Sequence, residues 1–226
     1  MSASAILHLE KGTCFGYRSG PPWKRQDRRL VEVGAPVKLG PGLHLLVAPN
    51  GTGKTTLLKT LAGLNTPLEG KLVLPAAVHY FADELKADPE LTAGSFFRAF
   101  FKKGSLVRAE KLAADLRLDL RKQIGKLSRG NRQKVLLILA EIGAGAGEGS
   151  FLLMDEPLTG LDAETRAQVT ALWAGAGAGI TRLVVMHELE SVAQASSLLT
   201  IARGQLKHAA EKTGATWMDT YQALQA

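Results

Sequence analysis

The segment LHLLVAPNGTGKTT, residues 43–56, joins an apolar run to a loop that contains two glycines. The run Leu43–Val47 is short and almost continuously apolar, which is typical of a strand buried on both faces of a parallel sheet. The loop that follows, residues 48–55, has the spacing of a phosphate-binding P-loop. We therefore predict a buried strand, a phosphate-binding loop and then a helix over residues 54–64.

The chemistry expected of this loop follows from its residue types. Its glycines let backbone N–H groups wrap phosphate oxygens, and the following helix adds the positive end of its dipole. Lys54 is placed to reach the β- and γ-phosphates, and Thr55 to offer its hydroxyl to Mg²⁺. The alternative is a glycine-rich turn that binds no phosphate. The predicted nucleotide-binding residues are Ala48, which stands where the strict pattern has glycine, with Pro49, Asn50, Gly51, Thr52, Gly53, Lys54, Thr55 and Thr56.

Two further apolar runs end in polar residues. Phe151–Met154 leads into Asp155 and Glu156, and Leu183–Met186 leads into His187. Open parallel sheets bind their ligands beyond the carboxyl ends of the strands. We therefore expect the phosphate-binding loop and both polar groups to gather at one edge of a single sheet.

Each of these polar residues has a catalytic and a structural interpretation. Asp155 would hold Mg²⁺ through water, and Glu156 would polarise the attacking water. His187 would hydrogen-bond the γ-phosphate and orient the nucleophile. Alternatively, the two carboxylates cap a strand and bind backbone amides, and the histidine is structural. A shared edge with the phosphate-binding loop favours the catalytic interpretation.

Helical segments are predicted between and beyond these strands. Asp162 is placed to cap a helix from about Ala163 to Trp173. Residues 83–134 indicate an inserted helical lobe, in which Thr92 caps a first helix and a second helix covers about Leu106–Leu116. Four phenylalanines of the first helix form either core or a surface for a partner: Phe96, Phe97, Phe100 and Phe101.

Composition excludes several classes of protein. The 226 residues are 46% hydrophobic and 22% charged, which is ordinary for a globular domain. The single cysteine, Cys14, excludes an internal disulfide. No apolar run approaches the roughly 20 residues of a membrane-spanning helix, and the first residues lack the basic start of a secretion signal. We therefore expect any membrane contact to pass through a partner protein.

Much of the net charge of +7 comes from one segment. Residues 18–29, RSGPPWKRQDRR, hold five basic residues against Asp27, and their Gly-Pro-Pro sequence indicates a loop or a hairpin tip. Three interpretations stay open for this segment: a solvated loop, a contact with acidic lipid headgroups, or a contact with nucleic acid.

Together with LSRGNRQK, residues 127–134, these motifs resemble the ATP-binding cassette (ABC) family. The resemblance covers nearly the whole chain and keeps the family's order of P-loop, helical lobe, signature, Walker B, D-loop and switch histidine. The signature distinguishes this family from other P-loop proteins, and here LSRGN stands where the family usually has LSGGQ. Arg129 thus replaces a glycine, and Ser128 is also a suitable N-cap for the helix that follows.

The resemblance implies roles for further residues. Tyr17 is the candidate that stacks on adenine. Asp83 stands at the position of the Q-loop glutamine, where it would join Thr55 and Asp155 as a metal ligand, and Glu156 and His187 would be the catalytic residues. The residues that would act across a dimer, toward ATP held by a second subunit, are Ser128, Gly130 and Asn131 of the signature and Asp162 of the D-loop, LTGLD.

The implied fold is α/β: a P-loop NTPase core with a mainly parallel sheet flanked by helices, a small antiparallel β subdomain and an inserted helical lobe. The chain would form a single ABC ATPase domain, with residues 1–82 and 135–226 as the nucleotide-binding core and residues 83–134 as the lobe that ends in the signature.

The implied function is ATP hydrolysis with Mg²⁺, in a homodimer or a dimer with a related cassette. This dimer would drive a transmembrane permease from the cytoplasmic face of the cell membrane. Two alternatives stay open. The positive charge favours a soluble cassette that acts on nucleic acid or ribosomes, although a single cassette without a long coiled coil argues against it. Asp83 favours a weakly hydrolytic regulatory cassette.

Overall fold

The computed structural model describes residues 7–21, 23–74, 77–81, 85–145, 149–175, 179–186 and 194–226. Within these ranges the strands are β1 (Leu7–Leu9), β2 (Cys14–Ser19), β3 (Gln26–Val33), β4 (Val37–Leu39), β5 (Gly42–Val47), β6 (Val78–Phe81), β7 (Ser150–Asp155), β8 (Ile180–Val185), β9 (Ser197–Ala202) and β10 (Gln205–Ala209). The helices are α1 (Lys54–Leu61), α2 (Ala93–Phe100), α3 (Lys103–Asp115), α4 (Arg129–Ala144), α5 (Ala163–Gly175) and α6 (Trp217–Gln225).

Eight of the strands form one sheet in the order β2-β3-β10-β9-β5-β8-β7-β6. Five neighbouring strands, from β9 to β6, run parallel to one another. At the other side of the sheet, β2 and β3 form an antiparallel hairpin and β10 pairs antiparallel with β9. A separate antiparallel pair joins β1 to β4. The predicted mainly parallel sheet is confirmed, and its antiparallel strands lie to one side of it.

The three predicted strands, β5, β8 and β7, are direct neighbours. Because they are parallel, their carboxyl ends meet at one edge, as the apolar runs predicted. Both faces of the sheet are covered. Phe151 and Leu153 of β7 pack into a core that includes α1, whereas Leu152 and Met154 pack into a core that includes α4 and α5. The continuous apolar runs therefore belong to strands buried on both faces.

Helix α1 ends three residues earlier than predicted. Its last turn is closed by Gly63, which has a φ of +73°, and the backbone N–H of Leu64 donates to the carbonyl of Lys59 at 2.9 Å. A glycine in the left-handed conformation with such a reversed hydrogen bond is a common way to end a helix. Residue 64 is therefore part of the helix cap and not of the helix.

The helical lobe contains α2 and α3. Thr92 caps α2 as predicted, because its hydroxyl accepts a hydrogen bond from the Ser95 backbone N–H. The four phenylalanines, predicted to form either core or a surface for a partner, do not all follow one interpretation. Phe96 and Phe97 are buried, Phe101 is partly buried after the end of the helix, and Phe100 is 63% exposed.

A buried ion pair joins α4, α5 and β8. The carboxylate of Glu141 on α4 accepts hydrogen bonds from Arg182 Nε at 3.1 Å and Arg182 Nη2 at 2.8 Å. It also accepts one from Trp173 Nε1 at 2.8 Å. All three side chains are less than a tenth exposed. The charge of an arginine inside a central strand is thus compensated by a carboxylate from the covering helix.

Two histidines lie on the strands next to β9, and His44 is buried whereas His208 is partly buried. His44 on β5 hydrogen-bonds the Ser197 hydroxyl through Nδ1 at 2.7 Å, and its Nε2 donates to the carbonyl of Gly40 at 2.8 Å. Burial lowers the pKa of His44. Burial also lowers the pKa of His208 on β10, and the nearby His44 lowers it further. Both rings therefore favour the neutral form in the folded chain.

We expect these two histidines to make the fold sensitive to mild acid. Their folded pKa values lie below the unfolded value of about 6.5. As the pH falls below about 6.5, the histidines of the unfolded chain bind protons before those of the folded chain do. The free energy of unfolding therefore falls by up to about 1.4 kcal/mol per pH unit for each histidine. Urea unfolding between pH 7.5 and 5.5 measures this slope.

A double variant, His44→Gln with His208→Gln, is expected to lose most of this slope even if its stability at pH 7.5 is lower. Carboxylates with a lowered pKa, such as Asp119, Asp162 and Asp219, respond only at a pH of about 4 or lower, so they do not obscure the result. An equal slope in the double variant and the unchanged chain would contradict the assignment.

Candidate nucleotide-binding site

The loop between β5 and α1 needs its glycines for two different reasons. Gly51 has a φ of +78° and Gly53 a φ of +103°, a region that other residues rarely adopt. Around Gly51 there is open space, but a Cβ at Gly53 would lie 2.9 Å from Leu30 Cβ of β3. Gly53 therefore allows the loop to pass directly against the hairpin.

Lys54 begins α1, and its side chain folds back over the loop. Its ammonium group donates hydrogen bonds to the carbonyls of Ala48 at 2.8 Å and Pro49 at 3.1 Å, and to Asn50 Oδ1 at 3.2 Å. Lys54 is only 6% exposed. A buried ammonium with three neutral acceptors is well placed to exchange them for anionic phosphate oxygens, since hydrogen bonds between two charged groups are the stronger ones.

Thr55 lies beside the first carboxylate. Its hydroxyl donates a hydrogen bond of 2.6 Å to Asp155 Oδ2, which links α1 to the end of β7 across 100 positions of the chain. Asp155 is buried, with 5% of its surface exposed. Hydroxyl and carboxylate oxygens are the ligands that Mg²⁺ takes beside water and phosphate. The donor set at this position therefore fits a magnesium ion.

Glu156 follows in a strained conformation. Its φ of +48° is uncommon for a residue with a side chain, and its backbone N–H donates to the Val185 carbonyl of β8 at 3.2 Å. Such strain persists where surrounding contacts impose it, and it is frequent at functional sites. The hydrogen bond to β8 fixes the direction in which this glutamate leaves the sheet edge.

One cavity of about 380 Å³ collects most of these residues. Its lining includes Lys54, Thr55 and Glu156, together with Tyr17 and Arg28 of the β2–β3 hairpin. Tyr17 and Arg28 are directly opposite each other on the two strands, and the Arg28 guanidinium lies 5.7 Å from the centre of the Tyr17 ring. The structure thus places an aromatic ring and a cation in the wall of the cavity that contains the P-loop.

A second cavity, of about 540 Å³, adjoins the first and shares Thr55 and Glu156 with it. The start of α4 forms part of its wall through Arg129, Arg132 and Gln133. The turn that carries the carboxylates and the helix that begins at the signature therefore border the same space.

The signature turn is exposed. Ser128 caps α4, and its hydroxyl accepts a hydrogen bond from the Asn131 backbone N–H at 3.3 Å. Ser128 itself is solvent-exposed, whereas Gly130 and Asn131 are partly buried. The predicted cap is present, and the helix N-terminus faces outward with its hydroxyl accessible.

The signature also packs against the D-loop of the same chain. A Cβ at Gly130 would lie 2.8 Å from the carbonyl oxygen of Gly160, so only glycine allows this approach. Gln133 Nε2 donates to the carbonyl of Pro157 at 2.9 Å. The side chain of Arg129 lies against Gly160, with atoms 3.6 Å from the position of its Cβ. The signature and the D-loop thus form one packed unit.

Asp162 caps α5, and its two carboxylate oxygens both contact Thr165. They accept hydrogen bonds from the Thr165 backbone N–H at 2.7 Å and from its hydroxyl at 3.1 Å. These two hydrogen bonds lower the pKa of Asp162. Its carboxylate is exposed and its place at the helix end is the predicted one.

Two of the predicted site residues, His187 and Asp83, lie outside the described residues. The chain is described up to Met186, which directly follows β8, and to Phe81, the last residue of β6. Sequence reasoning missed Arg28 as a cavity residue. No local signal indicated it, because the pairing of Tyr17 with Arg28 depends on the register of the hairpin, in which Ser19 lies opposite Gln26.

The comparisons with known proteins agree with this geometry. A family model described as "ABC transporter" matches residues 38–159. The taurine import ATP-binding protein TauB of Mesorhizobium japonicum is 34% identical over 220 residues, which cover 87% of this chain and 80% of that protein. A solved structure of the ATP-binding subunit of an ABC transporter superposes with a TM-score of 0.74 at 19% identity, and the match covers 97% of this chain and 100% of the other.

A plant protein is also similar. ABC transporter I family member 11, chloroplastic, of Arabidopsis thaliana is 32% identical over 182 residues, which are 66% of this chain. These residues span 63% of the length of the Arabidopsis protein, so about a third of that relative has no counterpart in the match.

Proposed function

Since this chain belongs to the ABC transporter family, we propose that it is the subunit that binds and hydrolyses ATP to drive a membrane permease. The observation that carries the proposal is the meeting of Lys54, Thr55, Asp155 and Glu156 around one pair of adjoining cavities. A phosphate-binding loop beside a carboxylate pair at one sheet edge supports hydrolysis of a nucleoside triphosphate.

The proposed roles follow from the positions of these groups. Lys54 and the loop N–H groups bind the β- and γ-phosphates, and Tyr17 stacks on the adenine. Thr55 and Asp155 would hold Mg²⁺, with Asp83 proposed as a further ligand; the ion, when bound, neutralises charge on the phosphate oxygens. Glu156 orients a water for attack on the γ-phosphorus, and His187 is proposed to hydrogen-bond the γ-phosphate. The bond to the β-phosphate breaks, and ADP and phosphate leave.

The exposed signature supports a dimer. A helix N-terminus with an accessible hydroxyl is suited to bind an anion. That anion need not be a phosphate of the nucleotide bound to the same chain. We propose that Ser128, Gly130 and Asn131 contact ATP bound to a second cassette, and that Asp162 acts across the same interface. Because Gly130 packs on the D-loop carbonyl of Gly160, the two trans-acting segments would move together.

We further propose that the chain is one ATPase domain, with residues 1–82 and 135–226 as the core and residues 83–134 as the lobe that contacts the permease. The lobe offers apolar surface for such a contact, since Phe100 is 63% exposed and Val107 is 60% exposed. None of the described helices is long and apolar enough to span a membrane. The proposed location is the cytoplasmic face of the cell membrane, through the permease.

The test of this function is ATP binding and phosphate release by the purified chain with Mg²⁺. Lys54→Ala removes charge-assisted hydrogen bonds to the phosphates, so we expect ATP affinity to fall about 10- to 100-fold and phosphate release to become undetectable. Lys59→Ala is the matched control, because Lys59 is an exposed lysine on the same helix. Equal ATP binding by the Lys54 variant and the control would sink the proposal.

A further inference from the structure

The turn between β2 and β3 carries an exposed tryptophan. Trp23 is 86% exposed, whereas Trp173 and Trp217 are 2% and 4% exposed. Tryptophan is highly buried on average, and it is enriched at interfaces where one end of the ring is apolar and the other contacts water. Trp23 is remote in sequence from the nucleotide-binding loop, and none of the proposed catalytic roles uses it.

An ordered turn presents this side chain. The backbone N–H of Lys24 donates to the carbonyl of Pro21 at 2.9 Å. Gly20 has a φ of +93°, and a Cβ there would lie 2.4 Å from the Lys24 carbonyl oxygen. The chain therefore reverses tightly between Ser19 and Gln26, the last residue of β2 and the first of β3, and holds Trp23 in the bend.

The cations of the hairpin divide into two sets. Nearer the sheet, Arg18 pairs with Asp27 and Arg29 pairs with Glu69, and Arg28 lies on the ring of Tyr17; these three have partners. Lys24 and Arg25, next to Trp23, are exposed and have no ion pair within the described ranges. The turn thus combines one exposed indole with two cations that are available to an external anion.

We propose that the turn that carries Gly20, Pro21 and residues 23–25 binds the surface of an anionic lipid bilayer. Trp23 would enter the boundary between headgroups and acyl chains, where tryptophan is enriched, and Lys24 and Arg25 would contact acidic headgroups. Pro21 in the turn has no backbone N–H, so one donor fewer loses its water on contact. This contact is direct and independent of a permease, unlike the membrane attachment proposed above.

The same features fit nucleic acid less well. Proteins that bind single strands stack successive bases on several aromatic rings along a basic groove. Here one exposed ring stands on the turn, and the other aromatic residues of the hairpin do not extend it, since Phe15 is buried and Tyr17 lines the cavity with Arg28. A single indole flanked by two cations is the arrangement of an interfacial anchor.

The tryptophan itself reports on the proposal. Because the other two tryptophans are buried, emission from Trp23 dominates any change caused by an external ligand. We expect vesicles of phosphatidylcholine with phosphatidylserine to shift the fluorescence emission of the full chain to shorter wavelength. We also expect the protein to sediment with these vesicles on centrifugation. Vesicles of phosphatidylcholine alone should do so weakly, and added salt should reverse the binding.

Variants measured by vesicle sedimentation complete the test. Lys24→Gln and Arg25→Gln should each lower partitioning about fivefold, and Trp23→Ala about tenfold. Lys111→Gln on the exposed face of α3 is the matched control and should bind like the unchanged chain. All four variants should keep ATP hydrolysis, so a failure here is distinct from a failure of the ATPase proposal. Binding to acidic vesicles that none of the three turn variants weakens, no binding at all, or tighter binding to single-stranded RNA than to acidic vesicles would overturn the assignment.

Discussion

Replacing Glu156 by glutamine is expected to lower the rate of ATP hydrolysis by about 10²–10⁴-fold. Glutamine keeps the size of the side chain and one acceptor oxygen, but it cannot take a proton from the attacking water. The backbone at this position has a φ of +48° held by a hydrogen bond to Val185, and the substitution does not alter either feature. Phosphate release at saturating ATP and Mg²⁺ measures the loss, and ATP affinity should stay within about twofold of the original because the phosphate ligands are unchanged.

The same variant should accumulate a dimer. If hydrolysis is what opens two cassettes closed around ATP, then blocking it leaves the closed form populated, and size-exclusion chromatography with ATP and Mg²⁺ will show a species of twice the mass. Glu110→Gln, on the exposed surface of α3, is the matched control and should hydrolyse ATP at the original rate and stay monomeric. A Glu156 variant that hydrolyses normally would remove this residue from the catalytic role.

The convergence of the site was predictable because it depends on local signals. Each of the strands β5, β7 and β8 is a short apolar run, and an apolar run that ends in polar residues identifies the carboxyl end of a buried strand. Once the strands are taken as parallel, the P-loop and Asp155 must share an edge, and the 2.6 Å hydrogen bond between Thr55 and Asp155 agrees with that. The caps at Thr92, Ser128 and Asp162 were predictable for the same reason, since each lies within three residues of its partner.

Contacts between distant segments were not predictable. Gly130 was interpreted only as a phosphate contact, but its lack of a side chain is also required by the Gly160 carbonyl 2.8 Å from the position of a Cβ. The first half of β8 was missed because Arg182 interrupts its apolar pattern. Its charge is accommodated by Glu141, which lies 41 positions earlier in the chain. No local pattern of residues predicts a partner so far away in the sequence.

The hydrogen-bonded group of Glu141, Arg182 and Trp173 lies on three elements that also carry or lead to proposed site residues. Glu141 lies on α4, whose first turn is the signature, about 20 Å from Ser128 along the helix. Arg182 belongs to β8, which precedes His187 in the chain, and Trp173 belongs to α5, which Asp162 caps. Three elements that lead to proposed functional residues are therefore joined to one another by a single buried carboxylate away from those residues.

Glu141→Ala is accordingly expected to lower the free energy of unfolding by about 3–5 kcal/mol, because it leaves the Arg182 guanidinium buried without a counter-charge. It also leaves the Trp173 N–H without an acceptor. Urea unfolding followed by circular dichroism measures the loss. If the single variant does not fold well enough to purify, the stability of a triple variant can be measured instead. The substitutions Glu141→Leu, Arg182→Met and Trp173→Phe remove all three polar groups together.

The triple variant should recover part of the lost stability, since replacing a whole buried ion pair by apolar side chains of similar volume is often neutral, whereas Trp173→Phe leaves a small cavity. It should also hydrolyse ATP, because none of the three side chains lines either cavity. Recovery of stability without recovery of ATP-dependent dimerisation would assign the network a second role, that of holding the signature helix at the correct angle to the D-loop. A Glu141→Ala variant as stable as the original chain would show that Arg182 finds another partner. It would contradict the assignment of Glu141 as the group that compensates the buried charge of Arg182.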